Sequence, residues 1–321
     1  MLGLGTSLIS GAPISTLEEL LRSAFDKRVT EDGGALENDA CLLSALGELV
    51  TEPAPFTTGL LEFYPNAVAA YSLRQLRRSI FPYAIRVRRS GDSLEQDIGF
   101  NSNGELDTNA LLAFAGSGDA WVATLYDQSS NGNNAVQSTP DSQPQIVASG
   151  SIVTENGKPA MQFDGINDRF PFDNSALDIS SLSSFTVGTF NDIATDQVML
   201  GLSGGVSNKR WYSPYVSGGN FNYGYAASCC AVRTTADTNQ NLHTLIAGSI
   251  LGGFEAFLNS SSVGTDTLSS GIDVTNEGIM NLKNAYNTDG TLQEVIVYSS
   301  DQSANRTGIE SNINTFYSIY S

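Results

Sequence analysis

The chain has 321 residues, with 16 Lys and Arg against 34 Asp and Glu, so its formal net charge is −18. This acidic balance works against nucleic-acid binding, which needs clustered basic side chains to displace the counterions of phosphate, and against docking on an anionic membrane. Only 16% of the residues are charged, 31 are glycine, and aromatic residues reach 9%. This composition is typical of a globular protein rich in β-structure and turns, and it argues against a disordered chain.

The sequence shows neither a membrane span nor an export signal. No segment approaches the roughly 18 apolar residues that cross a bilayer, and the start, MLGLGTSLISGAP, lacks the basic and apolar regions of a signal peptide. We therefore expect no membrane partner and synthesis in the cytoplasm. Three cysteines, Cys41, Cys229 and Cys230, are too few for a disulfide framework, and the single histidine, His243, is too few for a multi-histidine metal site.

Residues 1–55 are predicted to form an amino-terminal arm and a helical anchor. Ser15 and Glu18 have the spacing of a capping box that begins one helix, and residues 36–49 predict a second before two prolines close the segment. Two short amphipathic helices cannot bury their apolar stripes alone, so they pack either on the rest of the chain or in an anchor or oligomer contact. The predicted anchor face consists of Leu17, Leu20, Leu21, Phe25, Leu43 and Leu46.

From Phe56 onward, short apolar runs alternate with Asn-Gly and Asp-Gly turn pairs, which predicts a mainly β, antiparallel sandwich over residues 56–321. Two helices are predicted within it, over Ala67–Arg78 and from Ser303 to the carboxyl end. The predicted strands are Ala84–Val87, Trp121–Tyr126, Ala160–Phe163, Ser184–Phe190, Gln197–Leu202, His243–Ile250, Phe254–Leu258 and Leu292–Tyr298.

One segment, Ala70 to Val147, carries a family resemblance. It contains AYSLRQLRRS, IRVRRSGDSLEQDIGF and YDQSSNGN, and it resembles the amino-terminal part of the catalytic domain of family-54 arabinofuranosidases. The stretch GKPAMQFDGINDRF and the carboxyl end resemble strands of laminin-G-type sandwiches. The resemblance implies a concanavalin A-like jelly roll with a carboxyl-terminal helix.

The whole chain also resembles a class of virion structural proteins of tailed bacteriophages. That resemblance rests on the opening MLGLG and on the segment FDKRVTEDGGALENDACLLSAL ahead of the sandwich. It implies a non-enzymatic head decoration, fibre or tail-attached module on the virion, made in the host cytoplasm. The implied partners are other virion proteins and further copies of this chain, in a trimer or another cyclic oligomer, with host-surface glycans as candidate ligands.

The arabinofuranosidase resemblance implies a catalytic Glu in an Asp-Leu-Glu-Asn-Gly-like segment and an acidic Asp in a Gly-Gly-Asp-Asn segment before the final strand. The only Leu-Glu-Asn here, at residues 36–38, precedes the sandwich, and neither Asp289 nor Glu294 matches the second motif. A retaining glycosidase needs both carboxyl groups. The sequence therefore predicts no catalytic residues. The alternatives are a diverged arabinofuranosidase-like glycosidase and a host-glycan adhesin.

Two groups of residues are candidate binding sites. Four aromatic residues in a Gly/Ser-rich stretch are a candidate carbohydrate platform, with core packing or a subunit contact as the alternative: Trp211, Tyr215, Tyr223 and Tyr225. Oxygen atoms of Asp164, Asn167 and Asp168 suit Ca²⁺, although the same D-G-x-N-D pattern is also a good turn. No cofactor is otherwise expected.

Three further features have structural interpretations. The polar side chains of YDQSSNGN are predicted to hydrogen-bond buried backbone, and Arg86 and Arg88 are predicted to join Asp92 and Asp97 in a buried ion network. The arabinofuranosidase resemblance implies a bonded cysteine pair under the sugar. For Cys229–Cys230 the alternatives are such a vicinal disulfide and a buried reduced pair.

Overall fold

The computed structural model describes residues 58–78, 82–171, 181–203, 210–224, 232–249, 253–267, 276–280 and 286–321, most of a compact unit that spans Pro55–Ser321. The predicted arm and anchor, with Leu17, Leu20, Leu21, Phe25, Leu43 and Leu46, lie outside the described residues. So do Tyr225 and the Cys229–Cys230 pair. No helix within the described ranges is long and apolar enough to cross a membrane.

Short strands make up most of the described chain. In chain order they are β1 Ala69–Ser72, β2 Tyr83–Arg89, β3 Glu95–Gly99, β4 Ala120–Leu125, β5 Ala135–Val136, β6 Gln145–Ala148, β7 Ser151–Ile152, β8 Thr154–Glu155, β9 Lys158–Pro159, β10 Met161–Asp164, β11 Phe170–Pro171, β12 Leu182–Gly188, β13 Gln197–Val198, β14 Leu200–Ser203, β15 Arg210–Ser217, β16 Asn220–Gly224, β17 Val232–Thr235, β18 Asn241–Ser249, β19 Gly253–Leu258, β20 Ser261–Asp266, β21 Asn276–Ile279 and β22 Asp289–Tyr298. The helices are α1 Leu60–Phe63, α2 Thr108–Ala115 and α3 Arg306–Tyr317, and a 3₁₀ turn covers Pro140–Ser142.

The strands form two large antiparallel sheets. The larger has the order β20-β19-β18-β12-β22-β10-β6-β4-β2-β3, with β1 beside β22, β5 beside β4 and β7 beside β6. The smaller has the order β11-β21-β14-β15-β16-β17, with β13 beside β15, and β8 pairs with β9 in a separate ribbon. The predicted fold class, a mainly β antiparallel sandwich with a carboxyl-terminal helix, is confirmed.

The period-two alternation of β22 shows how the large sheet is buried on both faces. Val295 and Val297 belong to the core shared with the smaller sheet, whereas Ile296 and Tyr298 pack in a second core with α3. Successive side chains of a strand point to opposite faces, so a strand covered on both sides is apolar at every position. The residues of α3 in the second core are Ile309, Ile313 and Tyr317.

The prediction of a helix over Ala67–Arg78 is wrong, because Ala69–Ser72 forms the strand β1. Its register places Ala69 opposite Val297 and Ser72 opposite Glu294. All four residues of β1 are buried. A strand buried on both faces shows no period-two pattern, so its apolar residues are compatible with a helical stripe as well.

The helix α2 was not predicted, although its end signals are present. The Asp107 carboxylate accepts a hydrogen bond from the N–H of Ala110 at 3.0 Å, and Gly116, with φ of 63°, ends the helix. An acidic N-cap and a glycine in the left-handed region are the expected boundaries of a short helix. The eight residues between them were too few to establish a helical period.

Candidate functional site

A transverse row of long side chains crosses the larger sheet on the face away from the inter-sheet core. The strand register places Arg88 opposite Trp121, Trp121 opposite Gln145, and Gln145 opposite Gln162. The residues on either side of Gln162 in β10 belong to the inter-sheet core, so Gln162 itself points the other way. Neighbouring strands lie about 4.8 Å apart, so these four side chains form one continuous surface.

This row is the floor of a cleft of about 350 Å³. The 3₁₀ turn after β5 and the loop after β10 supply its walls. The wall residues are Pro140, Asp141, Gln143, Asp164 and Asp168. A concave site with one aromatic ring and several convergent polar groups has the composition of a small-ligand site. Throughout, these floor and wall residues are called the polar cleft.

Arg88 is held in place in the polar cleft without an ion-pair partner. Its Cζ atom lies 4.7 Å from the centroid of the Trp121 ring, which is a cation–π contact. Its Nε donates to Gln143 Oε1 at 2.8 Å and its Nη2 donates to the carbonyl oxygen of Pro140 at 3.3 Å. Among the described residues it forms no salt bridge.

The predicted buried ion network around Arg88 is therefore corrected. Arg86 pairs with Asp97 at 2.7 Å, and it is Arg89 that pairs with Asp92, at 2.6 Å. Side chains of both pairs are partly exposed. Successive residues of β2 point to opposite faces, but the partner that each arginine meets depends on the turn and the strand register, which the sequence pattern does not determine.

The floor offers hydrogen-bonding groups that have no partner among the residues that the structure describes. Within the described part of the chain, neither the Trp121 indole N–H nor the Gln145 side-chain amide forms a side-chain hydrogen bond, and both residues are half-buried. The Gln162 amide nitrogen donates to the carbonyl oxygens of Phe163 at 2.9 Å and Gly290 at 3.2 Å. Its Oε1 atom remains an acceptor. A polar ligand thus meets donors and acceptors next to an aromatic ring.

The wall formed by residues 164–168 is a turn built by its own carboxylates. Asp164 Oδ1 accepts backbone N–H groups of Ile166 at 2.8 Å and Asn167 at 3.1 Å, and Asp168 Oδ2 accepts the N–H of Asp164 at 3.1 Å. Gly165 occupies a left-handed position with φ of 74°, which glycine adopts without strain. These bonds confirm the turn interpretation of the D-G-x-N-D pattern. Calcium binding by Asp164, Asn167 and Asp168 stays a prediction.

Asp168 is the titratable wall residue with an unusual environment. Burial raises the pKa of Asp168 from 3.8 to about 7, and the charge of Asp164 contributes to this increase. The hydrogen bond from the Asp164 N–H lowers the pKa by a smaller amount. The side chain is 7% exposed, so its ionised form is poorly solvated. Near neutral pH the carboxyl group is partly protonated and is then able to donate a hydrogen bond to a ligand.

We expect Asp168→Asn to raise the free energy of unfolding at pH 8 by about 2 kcal/mol, less than the full pKa shift implies because solvent screens part of the cost. The unfolded chain loses this proton near pH 3.8 and the folded chain near pH 7, so the stabilising effect of the neutral form is lost as pH rises between those values. Urea denaturation at pH 8 and pH 4 tests this. Equal gains at both pH values would contradict it, and the exposed Asp141→Asn is the control.

The predicted aromatic platform lies mostly in the interior. Trp211 and Tyr223 are 0% and 1% exposed and belong to the inter-sheet core, where the Tyr223 hydroxyl bonds His243 Nδ1 at 2.8 Å. Tyr215, 8% exposed, stacks on Tyr212 in a separate cluster. This placement corrects the expectation of an exposed platform and favours core packing, because rings enclosed by protein present no face to a sugar.

His243 is the one titratable group among these core residues whose pKa burial lowers, to about 3. It is fully buried and contacts the rings of Phe190 and Phe221. A buried, neutral imidazole bonded to a tyrosine hydroxyl is a structural core histidine.

Two acidic residues of the last strand, Asp289 and Glu294, form structural contacts. Glu294 is paired with Arg74 at 2.7 Å and is completely buried. Asp289 accepts a hydrogen bond from the Asn191 side-chain amide at 2.8 Å. Neither lines the polar cleft.

Three floor residues of the polar cleft were not predicted as part of a site, unlike the wall residues Asp164 and Asp168. Each one stands alone in its strand: Trp121 in AWVATL, Gln145 in QIVA and Gln162 in MQFD. The signal in the sequence is a long polar or amphipathic residue at an outward position next to core residues in each of three strands. It becomes informative only once the strands are known to be neighbours.

Comparison with known proteins identifies the class of fold. No protein-family model matches the chain, and no curated protein matches it. Similar solved structures include an arabinofuranosidase complexed with arabinofuranosyl-α-1,2-xylobiose (TM-score 0.58, 16% identity). Two others are GH54 α-L-arabinofuranosidases, a mutant soaked with 4-nitrophenyl α-L-arabinofuranoside (TM-score 0.63, 15% identity) and an enzyme soaked with a cyclic sulfate inhibitor (TM-score 0.55, 15% identity).

Each of these matches covers 79% of this chain and 64% of the other. The chain therefore spans less than two thirds of the length of those enzymes. At 15–16% identity the likeness shows the fold: this chain has a β-sandwich similar to that of GH54 arabinofuranosidases.

Proposed function

We propose that this protein binds carbohydrate through the polar cleft, without chemical turnover. The observation that carries the proposal is the floor of the cleft, where the Trp121 ring lies beside the Gln145 side-chain amide and Gln162 Oε1. Among the described residues, the Trp121 indole N–H, the Gln145 amide and Gln162 Oε1 have no hydrogen-bond partner in the protein. Sugars present C–H faces that pack on aromatic rings and hydroxyl groups that both donate and accept hydrogen bonds. The fold's likeness to enzymes solved with arabinosides supports the same class of ligand.

The carboxylates of the cleft favour binding over hydrolysis. A retaining glycosidase places two carboxyl groups about 5 Å apart on either side of the bond that it cleaves. Here Asp164 and Asp168 belong to one turn, and each accepts a hydrogen bond from the other's backbone N–H. The third carboxylate, Asp141, is exposed at the rim.

One observation favours a second candidate function, a diverged glycoside hydrolase. The raised pKa of Asp168 beside Asp164 is a pairing that glycosidases use for a proton donor and its partner. Release of 4-nitrophenol from 4-nitrophenyl α-L-arabinofuranoside separates the two functions. We expect no release above buffer; turnover that Asp168→Asn abolishes would establish the hydrolase instead.

We also propose, from the sequence resemblance alone, that the cleft is displayed on a virion as a head decoration, fibre or tail-attached module. In that setting its ligand is a host-surface glycan, and copies of the chain associate with one another and with other virion proteins. A host-glycan adhesin is the alternative setting for the same cleft. The presence of this chain in purified particles distinguishes the two.

Removing the floor of the cleft should remove binding. We expect Trp121→Ala and Gln145→Ala each to weaken the binding of a neutral oligosaccharide at least about tenfold, since one stacked ring or one pair of amide hydrogen bonds is worth about 1.4 kcal/mol. Isothermal titration calorimetry measures this. The matched controls lie on the same sheet outside the cleft: the exposed Gln96→Ala and Tyr83→Ala should bind as the parent does. Unchanged affinity of both cleft variants contradicts the proposal.

A further inference from the structure

We infer that the polar cleft selects neutral glycans and discriminates against acidic ones. This inference rests on the proposed function and adds the class of ligand. The charges that surround the floor, the contacts of the single cation and the charge of the whole chain support it.

The walls carry more negative charge than the floor carries positive charge. Asp141, Asp164 and Asp168 line the cleft together with one basic residue, Arg88. None of the three carboxylates forms a salt bridge among the described residues. With Asp168 neutral, the two remaining carboxylates still outweigh the guanidinium. The formal charge of −18 on the whole chain adds a repulsive background for an anion.

Arg88 is only partly available to an anionic sugar. Recognition of a carboxylate by arginine uses two parallel N–H groups along one edge of the guanidinium. The edge formed by Nε and Nη2 is already occupied by Gln143 Oε1 and the Pro140 carbonyl oxygen. Its Cζ atom lies 4.7 Å from the centroid of the Trp121 ring. These contacts orient the indole and the 3₁₀ turn and use two of the five guanidinium N–H groups. Discrimination against a ligand carboxylate therefore rests on the excess of wall carboxylates over this one cation.

The groups that do remain free are suited to uncharged hydroxyls. The Gln145 amide provides both a donor and acceptor, Gln162 Oε1 accepts, and the Trp121 indole N–H donates. A hydroxyl group can serve each of these roles by rotating its hydrogen. A carboxylate only accepts hydrogen bonds, so it forms none with the acceptor groups of the floor, and the wall carboxylates repel it.

The test uses matched neutral and acidic oligosaccharides with the full chain. The probes are gluco- and galacto-oligosaccharides and their uronic-acid counterparts, which differ at C6 alone, titrated in calorimetry at about 50 mM and about 500 mM NaCl. We expect the neutral member of each pair to bind at least about tenfold more tightly and with little dependence on salt. Asp141→Asn removes one unpaired charge at the rim. It should lower the ratio of the neutral affinity to the acidic affinity about twofold to threefold.

Tight binding of the acidic member, equal to or stronger than the neutral member, overturns the inference. If Trp121→Ala abolishes that binding, the proposed function stands and only the ligand class is wrong. If binding of either member is unaffected by Trp121→Ala, the polar cleft is not the site and both proposals are wrong. Absence of binding by every pair also overturns both.

Discussion

Replacing Arg74 by methionine should lower the free energy of unfolding by about 3–5 kcal/mol, because it leaves a buried carboxylate without its cation. Arg74 Nε lies 2.7 Å from Glu294 Oε2 and Nη2 lies 2.9 Å from Glu294 Oε1, a bidentate pair. The two side chains are 8% and 0% exposed. Water hardly reaches this pair, so a Glu294 carboxylate that has lost Arg74 is not solvated in its place.

The same ion pair joins three elements of the fold. Ser72, at the end of β1, donates its hydroxyl to Glu294 Oε2 at 2.7 Å, and Arg74 Nη1 donates to Asn312 Oδ1, on α3, at 2.8 Å. The Tyr317 hydroxyl donates to the same carboxylate at 3.2 Å, and burial, together with the charge of Glu294, raises the pKa of Tyr317 well above its usual value. Loss of Arg74 should therefore loosen α3 as well as β1.

Matched variants separate burial from charge pairing as such. Arg86→Met breaks the Arg86–Asp97 pair, which has the same 2.7 Å separation but side chains 43% and 23% exposed, and should cost less than about 1 kcal/mol. The double variant Arg74→Met with Glu294→Leu should recover most of the lost stability, since no charge is left buried. Urea denaturation at neutral pH measures all three. Similar losses for Arg74→Met and Arg86→Met would contradict the account.

Asp127→Ala should cost about 3 kcal/mol, because one buried carboxylate organises the whole YDQSSNGN loop. Its Oδ1 accepts the backbone N–H groups of Ala70 and Ser129, both at 2.9 Å. Its Oδ2 accepts the Ser129 hydroxyl at 2.7 Å and the N–H of Asn133 at 3.0 Å. Removing the carboxylate leaves several buried donors unpaired. Each unpaired buried donor costs about 1–3 kcal/mol of stability.

The helix cap Asp107 provides the comparison for Asp127. Its carboxylate accepts one backbone N–H, that of Ala110, so Asp107→Ala should cost about 1 kcal/mol. Asp127→Asn should fall between the two alanine variants, since its amide oxygen replaces only one of the two carboxylate oxygens. Thermal and urea denaturation give the order. An Asp127→Ala cost no larger than that of Asp107→Ala would show that the loop is held by other contacts.

The fold was largely predictable because turn signals and strand periodicity are local properties. Asn-Gly and Asp-Gly pairs locate the turns, and short apolar runs, such as the one that ends at Tyr126, locate the strands. The interpretation of YDQSSNGN as a loop whose side chains bond buried backbone is confirmed by the contacts of Asp127. The strand β1, which was predicted as a helix, is buried on both faces, and such burial removes the alternation on which a strand prediction depends.

The floor of the candidate site was not predictable, because it is created by pairing between distant strands. Trp121, Gln145 and Gln162 meet through the order β4-β6-β10, and no property of one strand determines which strand lies beside it. The prediction of an exposed aromatic platform around Trp211 was wrong for a related reason. β15 has buried side chains on both faces, so composition alone does not show which rings face solvent.

The most direct test of the central claim is a titration of the ¹⁵N-labelled protein with a neutral oligosaccharide, following the indole N–H signals of its two tryptophans. Trp121 lines the polar cleft and Trp211 is buried between the sheets, and Trp121→Phe assigns the two signals. Binding in the cleft predicts a saturable shift of the Trp121 signal, with the Trp211 signal nearly unchanged. Saturable binding that leaves the Trp121 signal in place would contradict the account.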